Sequence, residues 1–163
     1  MADERPFTWV GDGYTLRLAP EERALLSRLL DELRALVSDP EGGEALRRLF
    51  PTVHPEHPDR EAEYQRLMRE ELVTSRLAGI DVVQEVLARP GRRRVPLDEA
   101  EMSALLQAVN SVRLVLGTML DVGEDDDVER PEIATSPEYH LYAFLSWLLD
   151  SAVRVMSGNL DEA

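Results

Sequence analysis

Residues 98–122 read DEAEMSALLQAVNSVRLVLGTMLDV, and their pattern decides the fold class. Asp98 followed three residues later by Glu101 is a capping-box pair, in which each side chain satisfies a backbone N–H left over at a helix start. From there Met102, Leu105, Leu106, Val109, Val112, Leu116, Met119 and Leu120 recur with the period of an α-helix. Leu114, Val115 and Val122 widen the stripe, as expected for a helix with neighbours on several sides. The spacing predicts a helix over 98–122, ended by Gly123, inside a bundle of other helices.

Those other helices are legible on both sides of it. Residues 20–37 open on Pro20, Glu21 and Glu22, which suit a first helical turn. Leu25, Leu26, Leu29, Leu30, Leu33, Leu36 and Val37 then mark one apolar face. Residues 44–50 predict a short helix with Leu46, Leu49 and Phe50 on one side, halted by Pro51. Residues 58–89 predict a long helical stretch in which Tyr64, Leu67, Met68 and Leu72 share a face. Leu77, Ile80, Val83 and Leu87 continue it about one residue out of phase. That slip fits two helices or one helix changing partners, and a break or kink between Arg69 and Ser75 is the favoured reading. Past an acidic loop over 123–136, Pro137 starts a last helix over 137–157. Its core face reads as Tyr142, Leu145, Leu149, Ala152, Val153 and Met156.

Residues 7–18 carry the other periodicity. Phe7-Thr8-Trp9-Val10 and Tyr14-Thr15-Leu16-Arg17-Leu18 alternate with period two around Gly11-Asp12-Gly13, the signature of a hairpin. A lone hairpin is marginal, so it must pack on the helices, and Val95-Pro96-Leu97 can add a short third strand. Leu18 to Val37 and Leu97 to Leu116 also read alike, each an extended segment entering an acidic-start helix with an Ala-Leu-Leu core. A duplication would leave that pattern, although any two amphipathic helices share it. The expected fold is mainly α, a single-domain helical bundle over 1–163 with a small N-terminal β-hairpin.

Composition narrows the function classes. With 44% hydrophobic and 31% charged residues the 163-residue chain reads as one ordinary globular domain. It has neither a membrane-length apolar run nor a basic-then-apolar leader pattern, so the expected compartment is the cytoplasm, with no membrane partner. The absence of cysteine excludes disulfides, thiol nucleophiles, thiolate zinc sites and thiol redox sensing. A net charge of −14 repels phosphate backbones, so direct nucleic-acid binding is not expected. The one basic run, Arg92-Arg93-Arg94, reads as a solvated turn.

Candidates for chemistry are few. His54 and His57, with Glu56 and Asp59, have the residue types of a zinc or iron site. Such sites need three or four convergent ligands, and the only other histidine is His140. A small metal-dependent hydrolase using His54 and His57 is thus an alternative reading, and no cofactor is expected. The acidic loop fails as a calcium loop: counted from Asp125, Arg130 stands where the glycine belongs and Ser136 where the glutamate belongs. No nucleophile elbow, phosphate loop or dinucleotide fingerprint occurs, and the expectation is a non-enzymatic protein.

Two irregularities remain. Arg113 lies inside the apolar stripe of the 98–122 helix, bordered by Asn110 and Gly117. A guanidinium taken out of water needs a partner. That partner is an internal carboxylate, with Asp81 or Asp150 in reach, or else the acidic group of a small ligand or a partner protein. Trp147 lies off the core face of the last helix, beside His140, Ser151 and Arg154. It either packs under the hairpin or a loop, or stands exposed as an interface anchor.

Leu49-Phe50-Pro51, the run from Leu105 to Asp127 with Asn110, Ser111, Val112-Arg113-Leu114 and Leu116-Gly117-Thr118, Tyr139-His140-Leu141-Tyr142 and Leu145-Ser146-Trp147-Leu148 resemble an uncharacterised actinobacterial family. Its genes commonly sit beside that of the ClpS proteolytic adaptor. The resemblance spans nearly the whole chain and implies a link to oxidative-stress transcription regulation, with a sigma factor or RNA polymerase as protein partner. The family's redox sensing through a cysteine pair does not carry over to a chain without cysteine. Asn110, Arg113, Gly117, His140 and Trp147 are the binding residues these readings nominate. The broad apolar faces also admit a homodimer.

Overall fold

The computed structural model describes residues 5–39, 46, 49–50, 53–90, 93–120 and 136–162. Among them are four helices, α1 (Pro20–Ser38), α2 (Pro58–Ala88), α3 (Glu99–Met119) and α4 (Pro137–Glu162), and three strands, β1 (Phe7–Trp9), β2 (Tyr14–Arg17) and β3 (Arg94–Leu97). The strands form one antiparallel sheet in the order β1-β2-β3, with Phe7 opposite Leu16 and Leu16 opposite Val95. The mainly α bundle with a small sheet is therefore present, and the third strand is β3.

The centre of the bundle is α3, which packs on α1, α2, α4 and β3. Its width of apolar surface has that cause: Met102, Leu105, Ala108, Val109, Val112 and Val115 are buried around much of its circumference. Asp98 accepts from the backbone N–H of Glu101 at 2.7 Å while Glu101 accepts from that of Asp98 at 2.9 Å, the reciprocal cap read from the sequence. The order strand–helix–helix occurs twice, as β2-α1-α2 and β3-α3-α4, with β2 and β3 paired antiparallel. Corresponding positions carry corresponding burial, Leu26 with Leu105 and Leu30 with Val109. Glu22 also caps the backbone N–H of Ala19 at 2.9 Å, as Glu101 does that of Asp98.

Three expectations change. Of the break or kink expected between Arg69 and Ser75, the break is absent: α2 runs through that region as one helix of 31 residues. The phase slip has another origin. Ile80, Val83, Val86 and Leu87 in the second half of α2 are buried, whereas Leu67 in the first half is 65% exposed. A half that is not enclosed need not keep the stripe in register. The face of α4 is also rotated from the expected one: Leu148 joins Leu145, Leu149 and Ala152 in the core, and Val153 is 51% exposed. Finally α4 continues past 157 to Glu162, whereas α3 stops at Met119.

Of the short helix expected over 44–50, Leu46, Leu49 and Phe50 are described; all are buried, and the N–H groups of Leu49 and Phe50 donate to the Leu46 carbonyl at 2.9 and 3.0 Å. Arg69 of α2 lies 5.0 Å from the Phe50 ring centroid, a cation–π contact that ties this turn to the helix. The acidic loop over 123–136 lies outside the described residues, apart from Ser136. Among the described residues no helix is long and apolar enough to cross a membrane.

One ion pair joins the end of α2 to the start of α3. Arg89 Nη2 pairs with Glu101 Oε1, and Arg89 Nη1 donates to the Pro96 carbonyl at 2.9 Å. The guanidinium beside it holds the Glu101 carboxyl below the usual carboxylate range. A carboxyl whose pKa is lower folded than unfolded stabilises the fold above its unfolded pKa, and that contribution disappears as pH falls through the folded value. Glu101→Gln should therefore cost about 1 kcal/mol at neutral pH, a value kept small by solvent screening of the Arg89 side. Denaturant titrations of both chains should show the gap closing once the pH is well below the carboxylate range.

Candidate functional site

The histidine loop is tied back onto the first turn of α2 by Glu61. The backbone N–H groups of Val53 and His54 donate to Glu61 Oε2 at 3.0 and 2.6 Å, and Gln65 Nε2 donates to Glu61 Oε1 at 2.8 Å. The Gln65 hydrogen bond, with those backbone donors, lowers the Glu61 pKa. His54 packs edge-on against Tyr64 at 6.0 Å, and His57 is the exposed residue just before α2. Among the described residues no group of three or more His, Asp or Glu side chains is placed to hold a metal ion. Of the basic run, Arg93 and Arg94 are exposed and Arg92 lies outside the described residues.

Arg113 is half-buried in α3 and donates from Nη2 to Asn110 Oδ1 at 3.2 Å. Its Nε is buried with no hydrogen-bond partner among the described residues. The internal ion pair considered for it is not present with Asp81, whose carboxylate pairs with Arg34 across α1 and α2. Asp150 is exposed. Gly117 is buried in the same helix.

A second arginine, which the sequence did not single out, holds the more developed site. Arg76 of α2 donates from Nη1 to Ser111 Oγ at 2.6 Å, and that hydroxyl donates in turn to the Gln107 carbonyl at 2.9 Å. Ser111 is 3% exposed, the most enclosed polar residue among those described. Burial lowers the Arg76 pKa from its ordinary value, and its Nε is buried without a hydrogen-bond partner among the described residues. Both residues line a cleft of about 290 Å³ formed by α1, α2 and α3. Gln107 and Asn110 add amides to its wall, and Leu33, Leu72, Ile80 and Ala108 make the wall partly apolar. Asn110 thus borders the cleft while accepting from Arg113.

The sequence signal for this site was present but weak. Arg76 stands between Val73 and Leu77, which pack against the core. Ser111 follows Val109 and Asn110 on the packed face of α3. A buried serine and an arginine from different helices become a pair only once the register of α2 on α3 is known.

Trp147 resolves in favour of exposure. Its side chain is 46% exposed and lies 6.0 Å from the Phe144 ring in a tilted arrangement. It borders a surface groove with Arg17, Arg93, Glu21 and Glu22 at the junction of β2, α1 and α4. His140 is exposed on the same helix, with Tyr139 and Tyr142 stacked 6.5 Å apart near it. The expected binding residues are therefore not brought together: Asn110 lines the inner cleft, Arg113 bonds to Asn110 without lining the cleft, Gly117 is buried in α3, and His140 and Trp147 lie on the surface of α4.

No curated protein and no solved structure matches the chain. A family model described as a domain of unknown function, DUF2017, matches residues 4–156, nearly the whole chain, and the protein belongs to that family.

Proposed function

We propose that this protein is a non-enzymatic regulator that acts by protein–protein contact through the surface of α4 around Trp147. The observation that supports this reading is the exposure of Trp147 beside Phe144, at a groove flanked by Arg17, Arg93, Glu21 and Glu22. Tryptophan and arginine are over-represented among the residues that dominate binding energy, and an apolar anchor with a charged rim is the arrangement a protein partner fills. The large negative charge assists encounter with a basic partner surface. The resemblance noted from the sequence carries the finer reading: regulation of transcription under stress, with a sigma factor or RNA polymerase as partner, in the cytoplasm. Without cysteine the chain performs this regulation without a thiol switch.

Affinity capture from an extract of the native host, with the full chain as bait, tests this reading. RNA polymerase or a sigma factor should be retained, and Trp147→Ala should reduce retention about tenfold or more. Because the indole is half in solvent, the same substitution should move the melting temperature by only a few degrees. Equal retention by wild type and variant would refute the assigned surface. A large fall in melting temperature would show that Trp147 serves the fold instead.

A further inference from the structure

The cleft between α1, α2 and α3 contains a feature that the α4 surface does not explain. A guanidinium enters a partly apolar space, and the hydrogen-bond partner that meets it there is a serine hydroxyl rather than a carboxylate. The chain has 32 acidic residues, yet among the described residues no Asp or Glu lines this cleft. Removing a cation from water is unfavourable unless an opposite charge or several acceptors compensate it. Ser111 supplies one acceptor and is itself fixed by the Gln107 carbonyl, so it orients Arg76 without neutralising it.

We propose that this cleft binds a small monocarboxylate with a short apolar body, the carboxylate meeting Arg76 and the body lying against Leu33, Leu72 and Ile80. Size, charge and wall chemistry each select this class. A cleft of about 290 Å³ lies at the small end for ligand pockets and suits a metabolite rather than a nucleotide. One arginine matches a single negative charge, through the charge-assisted hydrogen bonds that guanidinium groups form with carboxylates. A doubly charged phosphate would ask for a second cation, and the net charge of −14 disfavours the extra negative charge. The Asn110 amide takes the Arg113 hydrogen bond on its oxygen, so its amino group remains the donor end it can offer to a ligand. The apolar wall then distinguishes a carbon-bearing acid from an inorganic oxyanion.

The test uses the full chain, labelled with nitrogen-15, titrated separately with sodium hexanoate, neutral hexanamide and inorganic phosphate. Binding is read from arginine Nε–Hε resonances and by calorimetry. Hexanoate should give saturable shifts with a dissociation constant below about 10 mM, at least about tenfold tighter than either hexanamide or phosphate. Arg76→Met, which keeps an unbranched apolar stem and removes the charge, should weaken hexanoate about tenfold or more. Ser111→Ala, which frees the guanidinium to wander, should weaken it by a smaller factor. The proposal is overturned if hexanoate shows no saturable binding, if hexanamide binds equally well, or if phosphate binds as tightly. The comparison among the three probes is made on the wild-type chain, so it stands even if a variant fails to fold.

Discussion

Phe7→Ala should destabilise the protein by about 3–5 kcal/mol, the usual cost of truncating a buried aromatic side chain. Phe7 is 2% exposed, sits opposite Leu16 in the β1–β2 register, and belongs to a strand that packs on α4. Its removal leaves a void at the joint between sheet and bundle, where rigid neighbours on both sides limit collapse. For a chain of this length the melting temperature should fall by roughly 10 °C. Thr8→Ala, on the exposed side of the same strand, should change stability by no more than about 0.5 kcal/mol. Thermal and denaturant unfolding of the two variants checks the pair. If Phe7→Ala proved as mild as Thr8→Ala, the hairpin would be an appendage rather than a part of the core.

Gly13→Ala is the second large effect, about 2–3 kcal/mol, and its cause is space. A β-carbon at Gly13 would stand 2.7 Å from the Leu97 carbonyl oxygen, and that neighbour is backbone, which cannot swing aside as a flexible side chain would. To make room, β3 must shift at the residue next to Asp98, the N-cap of α3. The strain is thus passed to the capping box at the head of the central helix. Gly11→Ala is the informative comparison. Gly11 has φ +92° with open space around it, so its penalty is one of backbone conformation, about 1–2 kcal/mol, and stays within the turn. Amide exchange in the first turn of α3 should rise in Gly13→Ala and stay unchanged in Gly11→Ala. The reverse order would show that turn conformation, rather than strand approach, governs this end of the sheet.

The legible parts of the fold were those whose cause is local. Asp98 and Glu101 form their cap within one turn of chain, and the period of Leu25 to Val37 depends on no distant residue. The hairpin was equally local, because Gly11 supplies its own turn. The errors fall where burial depends on what another element covers. In α2 the slip of the stripe looked like a break, because a sequence does not say that the first half stays half-covered. In α4 the expected face holds at Leu145, Leu149 and Ala152 but has Leu148 in place of Val153, since both are apolar and only the position of α3 and β1 decides which is enclosed.

The candidate sites divide in the same way. Trp147 was visible as an aromatic off its helix's core face, a local irregularity, and it is exposed as one of its two readings required. Arg113 was also visible, yet its meaning changed: Asp81 is engaged by Arg34, and Arg113 reaches Asn110 at the edge of a cleft. Arg76 and Ser111 lie 35 residues apart and gave no shared signal in the chain.

The sequence by itself determined the helical class, the helix starts and the hairpin, because caps, turns and periodicity arise within a few residues; the third strand was only a possibility until its pairing with β2 was seen. The tertiary structure alone decided that α2 is continuous, which of Leu148 and Val153 is enclosed, and that Arg76 meets Ser111 in a cleft lined by no carboxylate among the described residues. Those facts depend on the register of one helix against another, set by packing of side chains far apart in the chain, and no short-range pattern encodes it.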